Sequence, residues 1–143
     1  MNAEIINFYS ENDFQLGEES VYESWLKEVT ASENKQLEEV SYIFCDDQYL
    51  LEINQKYLDH DTYTDIISFD NCVGNILAGD IFISTERVAE NAREYGVEFQ
   101  EELRRVMAHG ILHFCGYKDK SEKEAAEMRR KEEEKMRMFH VEQ

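Results

Sequence analysis

Two histidines four residues apart, followed at fixed distance by a glycine and a carboxylate, constrain this chain more than any other feature. They lie in the run His109-Gly110-Ile111-Leu112-His113-Phe114-Cys115-Gly116-Tyr117-Lys118-Asp119. On an α-helix, residues i and i+4 sit one above the other, about 6 Å apart at Cβ, so both imidazoles can approach one cation. Three residues past His113, Gly116 is placed to end the helix in a left-handed conformation, after which the chain doubles back and Asp119 faces the same cation. Two imidazoles and one carboxylate leave a fourth position open to water, the arrangement of a catalytic zinc site. HxxxH alone also occurs on partly buried helices without metal. The added glycine and aspartate make His109, His113 and Asp119 a ligand set for one zinc ion per chain.

The spacing HxxxHxxGxxD parallels the elongated motif of metzincin proteases, HExxHxxGxxH, but Gly110 stands where those enzymes carry a glutamate as general base. Peptide hydrolysis is therefore disfavoured. Gly110 also removes a side chain from this stretch, which is expected to leave room beside the metal for a bulky substrate such as an RNA backbone.

Around this run the chain reads as alternating strands and helices. Glu4 to Tyr9, Val40 to Cys45, Asp65 to Asp70 and Gly79 to Ser84 are apolar or β-branched enough for strands, the last two forming a hairpin. Helical spacing predicts a helix over Val21 to Val29, begun near Ser20, and another after a cap at Asp46 or Asp47, carrying Tyr49, Leu50, Ile53, Tyr57 and Leu58. A polar loop follows from Asp59 to Thr64. Ser84 or Thr85 caps a helix that runs to Tyr95 and is ended by Gly96, and Phe99 to Phe114 is the helix that carries the histidines. The final helix, Ser121 to about Met138, opens with a capping box of Ser121 and Glu124, and its polarity predicts an outer position. There is no proline, low-complexity linker or repeat, so residues 1–143 are expected to form one domain.

A net charge of −17 argues against general binding to DNA or to any phosphate backbone, which needs an excess of Lys and Arg. The charge is unevenly spread: residues 1–60 hold 14 acidic and 3 basic side chains, whereas residues 118–143 hold 8 of each. Nucleic acid contact would favour the end with Arg104, Arg105, Lys118, Lys120, Arg129 and Arg130. The acidic half suits a basic protein partner or simply a solvated surface. Nothing spans a bilayer, and Met1 to Phe8 has neither a basic nor a long apolar stretch, so a cytoplasmic location with no membrane partner is expected. Cys45, Cys72 and Cys115 each lie in or beside apolar runs and imply no disulfide framework.

At the histidine run the chain resembles the YbeY family of metal-dependent endoribonucleases, whose signature is HGxLHLxGYDH. Residues 109–117 follow that signature closely. Asn54 to Tyr57, Thr64-Asp65-Ile66-Ile67-Ser68-Phe69 and Gly79-Asp80-Ile81-Phe82-Ile83-Ser84 are similar, in the same order, to the family's NxxY, TDVLSF and GDIxIS segments. The resemblance implies an α/β (α+β) fold, with a small mixed four-stranded sheet packed with helices and the metal in a cleft between the histidine helix and its return loop. It also implies cleavage of single-stranded RNA in maturation of the small-subunit rRNA 3′ end and in ribosome quality control, with ribosomal RNA and the ribosome as partners. There are two departures. The family's Asp-His ending reads Lys118-Asp119, which replaces a third histidine with a carboxylate, and the family's arginine after the NxxY tyrosine is Leu58. The second departure keeps open another function, a ribosome-assembly binding factor with a structural metal whose acidic face meets basic ribosomal proteins. Asp65, Ser68 and Asp80 lie in the resembling strands, placed to support a ligand histidine, unless Asp80 is simply a strand-edge or loop carboxylate. Arg104 and Arg105, one turn before His109, are the nearest phosphate anchors, if they are not merely solvated. The general base is not identified. His60 is a loop histidine that either touches substrate or is solvated, and His140 is expected at the surface.

Overall fold

The computed structural model describes residues 4–59 and 63–139, so His60 and His140 lie outside the described residues. The elements in chain order are β1 (Ile5–Ser10), α1 (Glu19–Ser32), β2 (Gln36–Cys45), α2 (Asp47–Leu58), β3 (Ile66–Asp70), β4 (Ile76–Ser84), α3 (Thr85–Tyr95), α4 (Phe99–Phe114) and α5 (Glu122–Met136). The strands form one mixed sheet in the order β1-β2-β4-β3, parallel except for the β3–β4 hairpin. This is the expected small four-stranded α/β architecture.

Alternation along the strands sorts the sheet into two faces. Val40, Tyr42, Phe44, Leu77, Ile81 and Ile83 belong to the main core with α1 and α4, while Cys45 and Ile67 pack with Leu50 of α2 on the other side, beside Phe69 and Phe82. The Tyr42 hydroxyl donates to the Met107 carbonyl at 2.8 Å, which pins α4 to the sheet from within the core.

Caps at the predicted places start and stop the helices. Asp46 accepts from the Tyr49 amide at 2.8 Å, Ser84 from that of Arg87 at 3.1 Å, and Ser121 and Glu124 form the complete capping box. Gly96 ends α3 at φ 70°. Two strands start earlier than expected. β2 begins at Gln36, where ladder pairing carries polar residues before Val40 into the sheet, and β4 begins at Ile76, whose run Ile76-Leu77-Ala78 is itself apolar and pairs with Gln36, Leu37 and Glu39. Helix α1 begins at Glu19 without a side-chain cap, which places Ser20 inside the helix. No helix among the described residues is long and apolar enough to cross a membrane.

Candidate metal centre and cleft

Helix α4 is apolar toward the sheet and polar on one remaining stripe, where Glu102, Arg105, His109 and His113 line a cleft of about 800 Å³. The chain leaves α4 through Gly116, whose φ of 106° suits glycine, and returns so that Asp119 faces both histidines. Asp119 Oδ2 lies 3.3 Å from His109 Nε2 and 3.5 Å from His113 Nε2. The two rings are 4.4 Å apart and nearly perpendicular. One ligand atom from each of the three residues falls within 4.8 Å of the others, a grouping able to hold a metal ion.

The far side of each ring explains why the Nε2 atoms point inward. His109 Nδ1 lies 2.6 Å from Glu132 Oε2, and His113 Nδ1 lies 3.0 Å from the Tyr117 carbonyl oxygen. A carbonyl and a carboxylate both accept, so each Nδ1 carries the proton and each Nε2 offers its lone pair toward Asp119. The donor chemistry therefore fits a metal ion that takes nitrogen and oxygen ligands. The two imidazoles differ in charge preference. Burial disfavours protonated His109, but the hydrogen bond and charge of Glu132, with Asp119 and Asp65, outweigh it and raise the pKa. For His113, burial and the neighbouring His109 lower the pKa.

Glu132 is the partner that the sequence reading missed. Its second oxygen accepts from Arg105 Nη1 at 3.2 Å, and the side chain is only 7% exposed. It lies in a charge-rich stretch, Lys131-Glu132-Glu133-Glu134-Lys135, which reads as a solvated face. The available signal was spacing, since Met128, Glu132 and Lys135 recur at four and three residues and share the buried face of α5. Helix α5 is thus an outer helix whose inner face carries buried charge.

Several expected placements are corrected. Gly110 does not open space beside the His109, His113 and Asp119 group; it is buried against the sheet, where an added Cβ would lie 2.8 Å from Ile81 Cδ1 and 3.3 Å from Ile66 Cδ1. Asp80 lies on a central strand on the same side as Phe82, facing away from α4, and is outside the cleft lining. Asp65 and Ser68 do line the cleft, and burial raises the Asp65 carboxyl despite the opposing pull of His109. Neither expected arginine is free to anchor phosphate. Arg105 is held by Glu132 and Glu102, and Arg104 lies over the Phe139 ring at 4.7 Å, outside the cleft lining. Leu58, where the resembling family carries arginine, does line the cleft and is 42% exposed. All three cysteines are free, and Cys115 packs half-buried against the core.

A family model described as Endoribonuclease YbeY matches residues 5–140. The chain belongs to the YbeY endoribonuclease family. It is 64% identical over 138 residues to the Endoribonuclease YbeY of Christiangramia forsetii, covering 96% of each chain. It is 59% identical to that of Flavobacterium johnsoniae, covering 97% of this chain and 100% of the relative. Among solved structures it is similar to a Thermotoga maritima protein determined in solution, with TM-score 0.70 and 28% identity over 94% of this chain and 88% of that one. In this YbeY family chain the cleft, the inward-facing imidazoles and the return loop come together on one side of α4.

Proposed function

We propose that this chain is a zinc-dependent, single-strand-specific endoribonuclease that acts on ribosomal RNA, in maturation of the small-subunit 3′ end and in ribosome quality control. The observation that carries the reading is the convergence of His109 Nε2, His113 Nε2 and Asp119 Oδ2 at the end of an open cleft, in a chain of the endoribonuclease family. These three side chains hold the cation. When bound, zinc supplies Lewis acidity and lowers the pKa of a coordinated water toward ~7. Glu132 keeps the His109 ring in the tautomer that presents Nε2, and the Tyr117 carbonyl does the same for His113. The Asp65 carboxyl, lifted by burial, lies in the same cleft and is available to carry a proton. We assign the whole chain to a single domain acting in the cytoplasm.

The test is metal content beside cleavage of single-stranded ribosomal RNA for the parent, His109→Ala and Asp119→Ala, with chelator and zinc controls. Near-stoichiometric metal and cleavage, both lost in both variants, support a catalytic His-His-Asp site. Bound metal without cleavage by the parent supports the second reading, a ribosome-assembly factor with a structural metal and an acidic face for basic ribosomal proteins. Leu58 favours that reading, because it puts an apolar side chain in the cleft where a phosphate-holding arginine is otherwise expected.

A further inference from the structure

Three cations line the cleft, Arg105, Lys120 and Arg129, and Arg105 is already neutralised by Glu132 and Glu102. The other two are exposed and make no ion pair among the described residues. Both lie on one side, Lys120 in the return loop beside Asp119 and Arg129 on α5, one turn before Glu132.

The ends of α2 and α3 give the cleft two amides, Asn54 and Asn91, the apolar Leu58 and one exposed aromatic ring, Tyr95. Tyr95 lines the cleft with 57% of its surface exposed, whereas Phe114, the other large ring in the lining, is 6% exposed and belongs to the core. The Tyr95 ring stands on a fixed support, the last turn of α3, closed by Gly96 at φ 70° and by the Val97 amide donating to the Ala92 carbonyl at 3.0 Å. The stripe from Glu102 to His113 spans eleven residues, about 16 Å of helix, so the cleft is longer than one nucleotide.

We propose that Tyr95 is a base-stacking platform and that Lys120 and Arg129 are the phosphate contacts opposite it, so that the cleft grips an unpaired RNA strand along α4 beyond the scissile position. This deepens the nuclease reading and rests on it. Charges that track the backbone on one side and a ring for the bases on the other are the combination single-strand binders use. It explains how a chain of net charge −17 holds RNA with two cations of the cleft lining that make no ion pair among the described residues. A base paired in a duplex cannot reach the Tyr95 ring, so the same contact selects for single strands.

The test is binding of a labelled single-stranded RNA oligonucleotide to the zinc-loaded protein, by anisotropy across a salt series, together with KM and kcat for cleavage. Tyr95→Ala is expected to weaken binding by about 5- to 150-fold and to raise KM with little change in kcat, with Tyr95→Phe close to the parent. An oligonucleotide abasic along its length should bind parent and Tyr95→Ala alike. Arg129→Gln and Lys120→Gln should each weaken binding to both RNAs and flatten the log–log salt slope by about 0.7. If the parent binds RNA and Tyr95→Ala binds it equally well, the stacking platform is wrong while the nuclease reading stands. Salt slopes unchanged in both cation variants would remove the phosphate contacts. A parent that neither binds nor cleaves RNA overturns both readings.

Discussion

One turn apart on α5, Glu132 and Lys135 are both buried charges, yet they serve different regions. Glu132 faces the cleft and divides its oxygens between His109 and Arg105. Lys135, whose side chain is 2% exposed, faces away and holds Glu33 at 2.7 Å, Glu134 at 2.8 Å and the Ser32 hydroxyl at 2.8 Å. Around it, the Lys135 carbonyl accepts from Trp25 Nε1 at 2.8 Å, Glu33 accepts from the Tyr117 hydroxyl at 2.8 Å, and Lys131 lies 3.2 Å from Glu33. The first cluster orients the His109 ring with Nε2 toward Asp119; the second ties α1, the return loop and α5 into one body. The two meet at Tyr117, whose carbonyl holds His113 and whose hydroxyl holds Glu33. A single helix thus separates site chemistry from scaffold stability by one turn.

The sharpest way to break this division is Glu132→Ala, which removes the acceptor for His109 Nδ1 but leaves Arg105 its Glu102 partner. Zinc affinity, read by competition with a chromophoric chelator, is expected to fall about 10- to 100-fold, while the chelator-treated protein loses about 1–3 kcal/mol in urea unfolding because His109 Nδ1 and Arg105 are left without this acceptor. Glu132→Gln keeps an acceptor oxygen and should recover part of the affinity. A variant that loses several kcal/mol of stability with unchanged zinc affinity would assign Glu132 to the scaffold instead.

The same division marks what the sequence could reveal. His109, His113, Gly116 and Asp119 are local, within eleven consecutive residues, so helix geometry and the turn at Gly116 bring them together. Glu132 lies 23 residues beyond His109, and its role depends on how α5 packs on α4, which no local pattern encodes. Asp80 and Gly110 fail for a related reason. Each sits in a family-like segment, but strand alternation turns Asp80 to the α2 side, and helix–sheet packing turns Gly110 toward Ile81. Strand and helix identities followed from apolar period and caps. The early start of β2 did not, because backbone pairing carries Gln36 and Glu39 into the ladder whatever their side chains, whereas the apolar run Ile76-Leu77-Ala78 made the start of β4 legible.

The scaffold side is tested next by Glu33→Gln, which keeps a hydrogen-bond acceptor for Tyr117 and removes the charge facing Lys135. Breaking a buried pair costs ~3–5 kcal/mol when the remaining charge is left alone. Here Glu134 stays with Lys135, so about 2 kcal/mol is expected in urea unfolding, with zinc affinity nearly unchanged. The pH dependence follows from the same pair. Burial alone would raise the Glu33 carboxyl, but Lys135, Tyr117 and Lys131 lower it below the usual value. Its contribution is therefore complete above ~pH 4.3 and is lost as pH falls through the lower folded value. For Lys135, burial opposes the charge, but Glu134 and Glu33 raise the pKa, so its contribution is complete below ~pH 10.4 and is lost as pH rises through the folded value. Stability against pH in the parent should fall at both ends, and Glu33→Gln should flatten the acid limb. An acid limb identical in both proteins would place the acid-labile group elsewhere.

The smallest effect is expected from the residue that looks most costly. Lys135→Met replaces a buried ammonium with a side chain of similar length and no charge to desolvate, and Glu33 keeps Lys131 and the Tyr117 hydroxyl. The stem already runs through a buried position, so Met fills the same path. We expect the urea midpoint to move by less than about 1 kcal/mol, in either direction, with the alkaline limb of the pH profile flattened. A loss above ~3 kcal/mol would mean that Lys131 and Tyr117 do not satisfy Glu33 without Lys135, and that the ammonium is the element holding α1 to α5. In that case Glu33→Gln and Lys135→Met should each destabilise strongly while the double variant adds little, because both single changes would remove one shared interaction.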